Sequence, residues 1–180
     1  MKMTIGGFNI LRKAFGKLNT EQVKNIELIV ECCNKHKLEY NQAAYVLATA
    51  WHETNATMLP VIEAYWLSEA WRKKNLRYYP WYGRGYVQLT WEYNYRKADQ
   101  KLGLNGAMLK DPSLAQVPKY AAEILVLGSK EGWFTGKKLS DYITKTEKNY
   151  VGARRIINGT DKAQKIAKEA VVFEQALRSL

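Results

Sequence analysis

The amino-acid sequence predicts a mainly α-helical domain. Apolar residues recur at three- and four-residue spacing along most of the chain, and cap residues and glycines bracket several of those segments. A single stretch, GYVQLT at 85–90, alternates as a strand does.

The first periodic segment runs from 20 to 37. Val23, Ile26, Ile29, Val30 and Cys33 share a face, and Asn19 or Thr20 can cap a free N–H at its start. A second helix is expected over 41–54, with Ala43, Val46, Leu47, Ala50 and Trp51 as its stripe. Residues 55–60 break the pattern and end at Pro60, and VIEAYWLSEAWRKKN then predicts a short helix over 61–75. The next helix, over 91–102, has Thr90 as N-cap and Gly103 just past its end. DPSLAQVP reads as a turn before a helix over 118–131, and a further helix is expected over 139–148. The last covers 161–178, with Ala163, Ile166, Ala167, Ala170, Phe173 and Leu177 on one stripe.

With 180 residues, 47% of them hydrophobic and 25% charged, the chain can bury one core and is not disordered. Its net charge of +11 points to polyanionic partners: nucleic acid, phospholipid head groups or an acidic cell-wall polymer. Cys32 and Cys33 are neighbours on a helix and point in different directions, so no bridge between them is expected. There is no disulfide framework and no zinc-ligand spacing, which fits a reducing cytosol. His36 and His52 do not make a metal site, and neither metal nor organic cofactor is expected. MKMTIGGFNILRKAFG lacks the apolar region of a signal peptide, and no apolar run approaches the roughly eighteen residues of a membrane span.

Two carboxylates stand beside apolar surface. Glu53 lies three residues after Ala50 and seven after Val46, at the margin of the stripe, while His52 points away from it. Apolar surroundings there are expected to let the carboxyl keep its proton and act as a general acid. The plain alternative is a helix end in water. Glu63 is the second candidate and Glu69 the third; both read equally as solvated charges near Arg72, Lys73 and Lys74. Splitting a glycosidic bond needs one acid for the leaving oxygen and one ionised carboxylate to activate water or to attack. In WYGRGYVQLTWEYNY, alternation puts Tyr86, Gln88 and Thr90 on one side and Val87 and Leu89 on the other. Ring, amide and hydroxyl suit the C–H faces, acetamido groups and hydroxyls of sugars. A buried aromatic segment is the other reading. Gly83 and Gly85 permit a sharp turn or close approach to a polymer, and Arg84 between them is a candidate phosphate contact.

AWHET, YYPWYGRGYVQLTWEYNYRKADQKLGL, DPSLA and RRIINGT, in that order over residues 45–160, together resemble the pattern of glycoside hydrolase family 19. That family contains plant-type chitinases and many bacteriophage endolysins. YGRGYVQLT is the long, specific part of the match; His-Glu alone is weak. The few cysteines look like the endolysin branch rather than the disulfide-containing secreted chitinases. The resemblance implies a lysozyme-like helical fold of two lobes around a groove, and hydrolysis of β-1,4-linked N-acetylated amino sugars with inversion. By it, Glu53 protonates the glycosidic oxygen and Thr90 helps hold the attacking water. Gln88 and Asn94 match substrate contacts, Asn158 matches a groove-lining Asn, and Tyr82 and Tyr86 are further groove candidates. The second acid departs from the plant pattern, because counting straight across meets Asn75. Glu63 takes the place of the second Glu in the shorter phage enzymes and is assigned as base, with Glu69 in reserve. TDKAQK does not continue the chitinase pattern, so no groove residue is assigned there.

The expected protein is thus an endolysin: one catalytic domain over 1–180, without a separate wall-binding module, acting as a muramidase on bacterial peptidoglycan to lyse the host. A chitinase acting on GlcNAc polymers is the alternative. A basic module binding nucleic acid through phosphates and stacked bases is the remote one, and no nucleic-acid partner is expected. A monomer is expected, held in the host cytoplasm until a separate pore-forming protein releases it to the wall in the periplasm. The last helix either packs on the core or touches an anionic outer membrane.

Overall fold

The computed structural model describes every residue from Met1 to Leu180. It opens with α1 (Ile5–Phe15), whose first turn is capped by the Thr4 hydroxyl. α2 (Thr20–Lys35) starts at a reciprocal cap: the Asn19 side chain accepts from the Gln22 N–H, and the Gln22 side chain accepts from the Asn19 N–H. α3 (Tyr40–Glu53) leads through a loop to β1 (Val61–Ile62), then α4 (Glu69–Asn75) and β2 (Arg84–Gly85). α5 (Glu92–Leu102) ends on left-handed Gly103. The short α6 (Ala107–Lys110) and a 3-10 turn over Pro112–Gln116 precede α7 (Pro118–Glu131). Two more 3-10 turns, Leu139–Asp141 and Gly152–Ile156, lead to α8 (Ala163–Arg178).

Mainly α is correct, and α2, α3, α5, α7 and α8 lie where periodicity placed them. Four local expectations fail. Residues 61–75 are not one helix: Val61 and Ile62 pair antiparallel with Gly85 and Arg84, and α4 starts only after the Ser68 cap. GYVQLT is not a strand, because the chain folds back at once and Arg84 and Leu89 exchange backbone hydrogen bonds of 3.2 and 2.9 Å. Thr90 does not cap α5; Trp91 stands at that position, with φ of 75°. Over 139–148 only Leu139–Asp141 is helical, after which Ile143 bridges Lys148. Conversely, α1 forms where no helix is expected.

The core is built around α3. Residues 43–51 are buried without a break, so this helix touches protein on all sides. Ala43, Ala44, Ala48 and Ala50 keep it slim, and α8 packs along it. Ala163, Ile166, Ala170, Phe173, Ala176 and Leu177 of α8 are all buried, so this stripe packs on the core, while Gln164, Lys165, Lys168, Val171, Gln175 and Arg178 face water. α1 packs on α8 in turn. A methyl at Gly7 would lie 2.5 Å from the Ala176 carbonyl oxygen, so glycine is what lets the two helices meet. Cys32 and Cys33 are both buried and free.

Glu174 ties α8 to the segment before the last 3-10 turn. Its carboxylate accepts from Lys148 Nζ at 2.7 Å, the Tyr150 hydroxyl at 2.5 Å and Arg178 Nε at 2.9 Å. Burial pushes this carboxyl up, and those three donors more than reverse it, holding it below the usual range. On acidification the unfolded chain therefore takes the proton first. The stabilisation is complete above the ordinary glutamate value of about 4.3 and is lost as pH falls through the lower folded value. Glu174→Gln should cost about 1–3 kcal/mol at neutral pH. Urea melts across the acid range should show a flatter fall in stability for the variant than for the parent.

Candidate active site

Glu53 is the last residue of α3, just past the buried run 43–51; its side chain is 23% exposed. A helix C-terminus leaves carbonyls unpaired and opposes negative charge. That opposition is met by Arg154, from the 3-10 turn Gly152–Ile156, whose Nη1 lies 2.7 Å from Glu53 Oε1. Arg154 is itself buried, and its Nε donates to the Asp161 carbonyl at 2.8 Å. The apolar niche expected around Glu53 is therefore replaced by an ion pair on one oxygen, with Oε2 free of that contact. Burial pushes His52 below the usual imidazole range, with Glu53 opposing and Lys165 and Arg154 adding to the fall. Asn158 is exposed; its N–H bonds the Arg154 carbonyl at 2.9 Å, which places it one turn after the residue that holds Glu53.

The second group of residues forms on the ribbon. Glu63 continues β1: its N–H donates to the Gly83 carbonyl at 2.8 Å, and its Oε2 accepts the Gly83 N–H at 2.9 Å. Its Oε1 accepts the Tyr78 hydroxyl. Burial and that carboxylate push Tyr78 up to about 12, so the phenol remains a donor at neutral pH. Gly83 is needed for space: a methyl there would lie 2.6 Å from Gln88 Oε1. Gln88, with φ of 57°, folds over this glycine and donates to the Val61 carbonyl at 2.9 Å. The Thr90 hydroxyl donates to the Gln88 carbonyl, and Asn94 Nδ2 to the Thr90 carbonyl, each at 2.9 Å. Gln88, Thr90 and Asn94 thus form one hydrogen-bonded chain, Glu63 bonds Tyr78 and Gly83 beside it, and Glu53 and Asn158 share Arg154.

Other residues singled out in this segment serve the interior. Tyr86 is fully buried and donates to Asn25 of α2, so it cannot line a groove. Tyr82 is buried too, its ring 3.8 Å from the Arg84 guanidinium carbon and its hydroxyl donating to Glu69 at 2.9 Å. Arg84 does not face a phosphate; it is buried and donates to the Pro80 carbonyl and the Tyr95 hydroxyl, both at 2.9 Å. Glu69 is 54% exposed. Burial raises its carboxyl, but Tyr79, Tyr82 and Arg72 donate to it and hold it below the usual range, so it is charged at neutral pH.

Residue-by-residue reading missed Arg154, Tyr78 and two exposed rings. Tyr65 and Trp66, 69% and 70% exposed and edge-to-face at 5.2 Å, follow Glu63 closely. Tyr78 also helps line a cavity of about 430 Å³ with Tyr79, Trp81, Trp91 and Tyr93. A larger cavity of about 700 Å³ lies between α2, α5 and α7, and neither is lined by Glu53 or Glu63. Backbone strain points to the acids instead. Of nine non-glycine residues with positive φ, six (Asn55, Ala56, Met58, Ala64, Gln88 and Trp91) lie within 55–91. Such conformations cost about 1–3 kcal/mol each and gather at functional sites.

Neither a family model nor a curated protein matches the sequence. Among solved structures the chain is similar to chitinase C from Streptomyces griseus HUT6037, with a TM-score of 0.52 and 21% identity over 97% of this chain and 70% of that one. The fold is chitinase-like. A bacterial family 19 chitinase aligns over 98% of this chain and 87% of its own, at 22% identity and a TM-score of 0.48. The likeness to chitinase C bears on the helical, lysozyme-like architecture and leaves the chemistry to the residues.

Arg154→Met would leave Glu53 facing a helix C-terminus without its cation. The expected cost is roughly 2–3 kcal/mol, discounted because Glu53 partly faces water. Glu53→Gln in the same chain should recover part of that loss, and a denaturation double-mutant cycle measures the coupling.

Proposed function

We propose that this protein is a glycoside hydrolase that cleaves β-1,4 bonds of N-acetylated amino-sugar polymers. The observation that carries the reading is the placement of Glu53: a carboxylate delivered to the surface by a buried helix, held at Oε1 and free of that contact at Oε2, in a chitinase-like fold. On this reading Arg154 fixes the carboxyl plane through Oε1, and Oε2 holds the proton it gives to the leaving oxygen once bound sugar has displaced water from the partly exposed carboxyl. Glu63 is the base, oriented by Tyr78 and Gly83, and Thr90, Gln88 and Asn94 border the water and the sugar. Asn158 and the exposed Tyr65 and Trp66 offer polar and stacking contacts to the polymer. Glu69 is the reserve base.

The substrate we favour is bacterial peptidoglycan, cleaved as by an endolysin muramidase that lyses a phage host. The +11 charge suits an anionic envelope, with the enzyme collecting in the host cytoplasm and passing to the wall through a pore made by another protein. Chitin is the second reading, favoured by the name of the structural relative, chitinase C.

Glu53→Gln should stay folded and lose at least roughly 100-fold in turnover, the scale of general acid catalysis. Full activity in that variant would sink the assignment. Glu63→Gln should lose comparable activity and Glu69→Gln should not; the reverse result makes Glu69 the base. Reducing sugar released from purified peptidoglycan but not from chitin oligomers supports the muramidase, the opposite pattern the chitinase. Mass analysis of the fragments names the bond.

A further inference from the structure

Away from these acids, α2 and α7 bring three metal-ligating side chains together. Cys32 and His36 stand four residues apart, so both face the same way at the end of α2. Glu123 reaches them from α7, and Cys32 Sγ, a His36 ring nitrogen and a Glu123 oxygen all lie within 4.8 Å of one another. His36 Nε2 is 2.5 Å from Glu123 Oε2. All three also line the cavity of about 700 Å³, which supplies an entry path and room for a fourth ligand.

We propose that Cys32, His36 and Glu123 bind a divalent cation of the zinc class, clamping α2 to α7. Sulfur, imidazole and carboxylate are the donors zinc takes, and three protein ligands with one open position make a complete tetrahedral site. Charge balances as well. Zinc displaces the thiol proton to solvent, and one thiolate and one carboxylate then neutralise the ion, with His36 neutral. Lys35 now holds Glu123 Oε1 at 2.6 Å, but its side chain is 66% exposed and is free to swing away when the metal arrives. His36 and His52 together make no metal site; the partner that completes one with His36 is Glu123, 87 residues along the chain. The site stands apart from the proposed glycosidase chemistry and is tested without it.

Cobalt(II) titrated into the metal-free full-length protein is the probe. One equivalent should bind and give thiolate-to-cobalt charge-transfer absorption in the near ultraviolet, and zinc should displace it. Cys32→Ser should abolish that absorption and weaken zinc binding by more than roughly 100-fold, beyond what an outer partner contributes. Cys33→Ala should keep the absorption. Zinc should raise the melting midpoint of the parent and of Glu53→Gln, and not that of His36→Asn. No charge-transfer absorption in the parent, or absorption that survives Cys32→Ser, would overturn the site.

Discussion

The rest of the structure turns on one constraint: α3 is buried along its length and must end in a charge. Over 43–51 the helix is surrounded by protein and its sequence is almost wholly apolar, with Thr49 the exception; His52 and Glu53 follow where burial relaxes. There the carboxylate meets the negative end of the helix as well as partial burial. Arg154 answers both, and so fixes where the turn Gly152–Ile156 must lie. Gly152 makes that turn possible, since a methyl there would sit 2.5 Å from Asn149 Nδ2, whose partner oxygen caps the turn by accepting the Gly152 N–H at 2.8 Å. α8 follows and returns along the alanines of α3.

What was legible in the chain was local. The Asn19 or Thr20 cap, the stripe of α3, Gly103 and the turn before Pro118 each act within a turn or two of their own position, and the elements they bound fell where expected. What failed depended on partners far along the chain. WLSEAW has helical spacing, but Val61 and Ile62 go to Gly85 and Arg84, a pairing that no local window contains. α1 was not read from the sequence; its Gly7 leaves room for the Ala176 carbonyl of α8, a partner that no local window contains.

The candidate site divides in the same way. The margin position of Glu53 follows from helical spacing, but its surroundings do not, because Arg154 lies 101 residues away. In YGRGYVQLT the conspicuous residues turn out to be largely architectural. Arg84 lies against the Tyr82 ring, Tyr86 anchors to Asn25, and the glycines make room for Gln88 and for a backbone with φ of 101° at Gly85. Alternation failed there because the chain reverses between Arg84 and Leu89, sending Tyr86 inward and Gln88 back over Gly83. A motif can be specific because its packing is exacting, and its most visible side chains then say more about the fold than about a ligand.

On the proposed reading two acids work on one bond and need a fixed separation, and they come from unlike supports. Glu53 ends a helix buried over 43–51, and Glu63 continues a ribbon of two residue pairs, which alone would be marginal. The loop between them is held by side chains rather than by regular structure. The Thr54 hydroxyl donates to the Ala50 carbonyl at 2.7 Å and accepts the Met58 N–H at 2.9 Å, and Gln22 Nε2 ties the Ala56 carbonyl to α2 at 2.7 Å. Met58, fully buried, pins the same loop from within. The positive φ values at Asn55, Ala56 and Met58 are the cost of that path, which these bonds and the buried methionine offset. On the proposed reading, the distance from acid to base is set less by either carboxylate than by Thr54 and Gln22, neither of which touches the sugar.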